Sequence, residues 1–89
     1  MTEPEFDTAV TALIQGGQGS IKNDHEERVF VAATFVIQRQ RKIPDDEPWG
    51  GPTDQELAEF LTGIDRIQRK RLKTMADGLI KSEDRPTLH

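Results

Sequence analysis

Phe6, Ala9, Val10, Leu13 and Ile14 recur at the spacing of one helical face, and they follow Thr2 and Glu5, the pair that closes a capping box. This pattern predicts a first helix over residues 3–15, stopped by Gly16 and Gly17. Gln18 to Asn23 is a polar connection, and Asp24 with Glu27 repeats the capping pattern ahead of a second helix over residues 24–42. Its centre, Val29 to Ile37, is almost continuously apolar and rich in β-branched residues, which by itself suits a buried strand. No other stretch offers a pairing partner, and Glu26 to Arg28 and Gln38 to Lys42 are good helix formers, so a helix is expected. On a helical wheel Val29, Ala33 and Val36 share one side, Phe30 and Ile37 lie beside them, and Val31 and Phe35 fall roughly opposite. A helix apolar nearly all round belongs at the centre of a domain, with Phe30, Val36 and Ile37 among the most buried residues.

Ile43 to Pro52 holds three prolines and two glycines and reads as a loop. Thr53 with Glu56 then makes a third capping box, opening a helix expected over residues 53–81, roughly 43 Å long at 1.5 Å per residue. Gly63 and Gly78 weaken it locally. Leu57, Leu61, Ile64, Leu72, Met75 and Leu79 fall within an arc of about 80° on its surface, split by Gln68 and Arg71. Residues 83–89, with Pro86, read as a flexible tail behind a single domain over 1–82. The fold expected is all-α: a small three-helix domain in which helices 2 and 3 form an antiparallel hairpin and the shorter first helix packs on it.

Composition narrows the chemistry. In 89 residues, Leu, Ile, Val and Phe supply 21, enough for a thin core. Cysteine is absent, so disulfides, thiolate zinc sites and thiol nucleophiles are excluded. No apolar run approaches the ~20 residues of a membrane span, and Met1 to Asp7 is acidic where a signal or transit peptide would be basic and then apolar. A cytoplasmic protein is the expectation. The net charge of −4 argues against coating nucleic acid, yet the charge is segregated: residues 43–65 carry seven acids and no base, and residues 66–73 five bases and no acid. A hairpin would set Arg39, Arg41 and Lys42 against Asp54, Glu56 and Glu59, and Asp24, Glu26 and Glu27 against Arg69 to Lys73. Each exposed pair is worth about 0–1 kcal/mol.

Motif tests are mostly negative. Gly16 to Lys22 has the flavour of a phosphate loop, but its spacing fails and a helix precedes it where a Walker loop needs a strand. His25 lacks a second histidine four residues on, and Asp45, Asp46 and Glu47 are adjacent instead of alternating. Glu56, Glu59 and Asp65 share a helix face with no matching acids opposite. Neither cofactor, metal nor catalytic set is expected. Trp49, Gly50 and Gly51 fit the Trp-x-Gly pattern of the small helical-hairpin proteins of type VII secretion, a likeness confined to those three residues. The chain has no tyrosine for that family's C-terminal signal, its loop is richer in proline and its first helix is extra, so the family is not adopted.

The second helix is long enough to cover the third only as far as about Leu72. Unless the first helix covers them, Leu72, Met75, Leu79 and Ile80, with Arg71 beside them, form an overhanging surface for a partner, and Trp49 is a second candidate anchor. The expected function is a non-enzymatic protein–protein interaction module, a small adaptor, inhibitor or accessory subunit of a larger protein. The alternative is a nucleic-acid-binding regulator using Arg66, Arg69, Lys70 and Lys73 on one face of helix 3. A homodimer is also expected on this pattern, because an antiparallel copy of helix 3 would oppose its acidic and basic halves twice.

Overall fold

The capping boxes begin the helices. In the computed structural model, which describes residues 1–44 and 46–84 with side chains through Leu79, the Glu5 N–H donates to Thr2 Oγ1 at 3.2 Å and the Thr2 N–H to Glu5 Oε1 at 2.7 Å. They start α1, Glu3–Gly16. A 3-10 turn over Gly17–Ser20 follows, tied back by Ser20 Oγ, which donates to the carbonyls of Ala12 at 2.9 Å and Gly17 at 2.7 Å. The cap of α2, Asp24–Gln40, is Asn23, one residue before the expected Asp24: its Oδ1 accepts from the Glu26 N–H at 3.0 Å. Glu26 Oε1 accepts in turn from the Lys22 N–H at 2.7 Å, which gives this carboxylate, only 7% exposed, a backbone partner.

α2 ends two residues before Lys42. Lys42 takes a left-handed conformation, φ 57, and the Ile43 N–H reaches the Gln38 carbonyl at 3.1 Å while the Lys42 N–H reaches that of Arg39 at 3.1 Å. These are the two bonds of a Schellman ending, with lysine where glycine is usual. Past the loop, Thr53 and Glu56 close the expected box and start α3, Asp54–Gly63.

The long third helix is not continuous. Ile64 is extended, at φ −75 and ψ 144, and a separate α4 runs Arg66–Asp84. Asp65 caps it: the Gln68 N–H donates to Asp65 Oδ1 at 2.8 Å, and the Asp65 N–H to Gln68 Oε1 at 3.2 Å. This third capping box, after those of Thr2 and Thr53, turns the chain where apolar periodicity runs on. The all-α class therefore stands, with four α-helices among the described residues in place of three. α4 continues through Asp84, past the expected start of the tail at Glu83, and residues 85–89 lie outside the described residues.

α1 packs on α2 and α3, and α4 lies mainly against α2. The core is built from Phe6, Ala9, Val10 and Leu13 of α1, Val29, Ala32, Ala33 and Ile37 of α2, Leu57 and Leu61 of α3, and Leu72 and Ala76 of α4. Within α2 the small alanines, not Phe30 and Val36, take the deepest places; Phe30 and Val36 are only partly buried at its margin. Small side chains let α1 and α4 approach the central helix closely, which a row of bulky residues would prevent.

The ion pairs follow this topology. Arg41 pairs with Glu56 as the charge blocks suggest. Arg69, however, pairs with Asp7 of α1, and its guanidinium lies over the Phe6 ring, 4.9 Å from the centroid. Lys73 pairs with Asp77 within its own helix at 3.2 Å. Among the described residues, Asp24, Glu26 and Glu27 make no ion pair with Arg69 to Lys73, because α4 starts from a corner and not in line with α3.

Candidate functional site

The acids considered for metal chemistry are engaged locally. Glu56 caps α3 and pairs with Arg41, Glu59 accepts from Gln55 Nε2 at 3.3 Å, and Asp65 caps α4. Among the described residues no three metal-ligating side chains converge, and no helix is long and apolar enough to cross a membrane.

Among the described side chains the expected overhang is largely covered. Leu72 is 2% exposed and belongs to the core, and Met75 and Leu79 are partly buried against it. The side chain of Ile80 lies outside the described residues. Arg71 is exposed, and Trp49 is half-buried in the loop after α2, its N–H donating to the Glu47 carbonyl at 2.8 Å. The stripe of bases is also divided. Arg69 and Lys73 are held by Asp7 and Asp77, leaving Arg66 and Lys70 exposed without an ion pair among the described residues. Self-pairing through one straight helix loses its geometry as well, since the acidic and basic halves belong to two helices that meet at Ile64 and Asp65.

A different surface emerges where the last turns of α2 meet α3 and the first half of α4. Val36, Phe60, Leu72 and Met75 line a cleft of about 260 Å³, bordered by Arg39, Gln40, Gln68 and Arg71. An open apolar shelf adjoins it through Met75 and Arg71 and extends to Ile67, Lys70 and Thr74. Ile67 is 64% exposed and Phe35 is 49% exposed; these are the large apolar residues left on the described surface. Each stands one helical turn before an arginine of the cleft, Phe35 before Arg39 on α2 and Ile67 before Arg71 on α4. Neither arginine has an ion-pair partner among the described residues.

Of the residues expected to meet a partner, Arg71, Leu72 and Met75 line this cleft; Arg39 and Ile67, which the sequence pattern did not single out for that role, lie on the cleft and the adjoining shelf. Two signals were available. Phe35 falls opposite the core side of its helix, and Asp65 with Gln68 spells a capping box that sets where α4 begins and which way Ile67 faces.

Two carboxylates away from the cleft are shifted. Burial pushes the Asp77 carboxyl up, but hydrogen bonds from the Met1 amino group at 3.0 Å and from Lys73, with both positive charges, outweigh it and leave its pKa below the ordinary 3.8. Hydrogen bonds from the backbone and hydroxyl of Thr2 likewise lower Glu5, with His25 adding a favourable charge when protonated; its Nε2 lies 3.4 Å from Glu5 Oε2. Both groups tie the start of α1 to its neighbours.

Compared with protein-family models, with curated proteins and with solved structures, the chain matches none.

Proposed function

We propose that the protein is a non-enzymatic binding module that docks on a larger protein, as adaptor, inhibitor or accessory subunit, through the face shared by α2 and α4. The observation that carries this reading is the placement of Phe35 and Ile67. Ile67 extends the apolar surface of the cleft across the adjoining shelf, and Phe35 stands exposed one helical turn before Arg39 of the cleft border; contiguous exposed apolar surface marks interaction sites, whereas singly scattered residues do not. Burying an isoleucine or phenylalanine side chain is worth roughly 1.5–3 kcal/mol, so a partner covering both gains the core of a binding site. The nucleic-acid reading has weaker support, because Arg69 and Lys73 already spend their charges within the chain.

The test places a photo-crosslinking amino acid at Gln40, an exposed residue on the border of the cleft, in the protein expressed in its native host. Defined adducts are expected, and Ile67→Asp and Phe35→Asp should remove them while leaving the far-ultraviolet circular dichroism unchanged. Adducts that survive both substitutions, or a protein that crosslinks to nothing, would reject the reading.

A further inference from the structure

The chemistry of the partner can be read from the border of the same cleft. We infer that the occupant is an acidic amphipathic helix of another protein, an inference that rests on the binding-module reading above. The cleft proper, about 260 Å³, suits one large apolar side chain, and the shelf beside it is open surface and not the enclosed concavity that holds a small molecule. An extended peptide added to a sheet edge is ruled out as the docking mode, since the described residues contain no strand. A helix laid in the groove remains, with one anchor in the cleft and another on the shelf against Ile67.

Charge sets its polar side. Arg39 borders the cleft from α2, and Arg71 borders it from α4 with Lys70 on the adjoining shelf, three bases for which the described residues supply no carboxylate. Other bases of the chain do find acids: Arg41 has Glu56, Arg69 has Asp7 and Lys73 has Asp77. Arg39, Lys70 and Arg71 thus give a protein of net charge −4 a local positive rim around the cleft and shelf, which attracts acids and disfavours basic partners; Lys22, Lys42 and Arg66 also lack ion pairs among the described residues but line neither. A second copy meeting this one cleft to cleft is disfavoured as the occupant, because it would set Arg39 and Arg71 against one another.

Fluorescence anisotropy with the full chain tests this with three probes: a synthetic helix carrying a leucine and phenylalanine row flanked by glutamates, the same helix with lysines for glutamates, and a DNA duplex. The acidic helix should bind at least about tenfold more tightly than the basic one, and the double variant Arg39→Glu, Arg71→Glu should invert that preference. Ile67→Asp should weaken the acidic helix about tenfold. All three replaced residues are exposed, so the fold is retained. Equal affinity for both helices, a preference that survives the double variant, or DNA binding with a steep loss between low and physiological salt in place of peptide binding would each overturn the inference. If the acidic helix fails while crosslinks through Gln40 still depend on Ile67, the binding module stands and only this identification of its partner falls. Loss of both removes both.

Discussion

Gly17 has φ 61 and ψ −149, and a Cβ built there would lie 2.3 Å from the carboxyl carbon of Asp54. That backbone region is essentially closed to residues with a side chain and costs of order 1–3 kcal/mol when forced. The Asp54 carboxylate cannot simply swing aside, because its Oδ1 accepts the Gln18 N–H at 3.0 Å and so ties the turn after α1 to the first turn of α3. Gly17→Ala is therefore expected to lower stability by about 2–3 kcal/mol in urea unfolding, the backbone strain adding to the lost hydrogen bond. Gly19→Ala provides the contrast: a Cβ there meets nothing within 4 Å, and the change should stay within about 0.5 kcal/mol.

At the scale of elements, the corner between α3 and α4 depends on two side chains. Asp65→Ala removes the oxygen that accepts from Gln68 and is expected to cost about 1 kcal/mol by the same measurement, with Asp65→Asn losing only a fraction of that. The corner also separates what was legible in the sequence from what was not. α1 and α2 were readable because each has a cap signal at one end and a stop at the other, with the apolar positions of a helix between them; the α1 bounds agree to within a residue. The third segment failed because a wheel drawn through Ile64 and Asp65 still groups Leu57, Leu61, Leu72 and Met75, and periodicity carries no record of a change in direction. Once α4 turns, Leu72 goes inward and Ile67 outward, so the site moves from an overhang to a cleft. The burial within α2 was misjudged for a related reason: hydrophobicity ranks Phe30 and Val36 above Ala32 and Ala33, but close helix approach selects the smaller residues.

For the molecule as a whole, acid should loosen the start of α1 first. Asp77 and Glu5 both titrate below their ordinary values when folded. Stabilisation from a lowered carboxyl is fully present above its unfolded pKa and is lost as pH falls through the folded one, so the melting temperature should hold from neutrality to about pH 5 and drop below about pH 4. Asp77→Asn should flatten that drop, as followed by circular dichroism; an unchanged profile would show that Asp77 contributes nothing to it. The corner at Ile64 and Asp65 has a mechanical consequence too. Phe60 precedes it and Leu72 and Met75 follow it, so the walls of the cleft belong to two levers joined at one pivot. The angle of that pivot is the aperture of the cleft. On the proposed binding reading, a change at Asp65, a residue outside the cleft, would alter what fits between the walls, so that the stiffness of a joint and not only the residues that touch the guest would set selectivity.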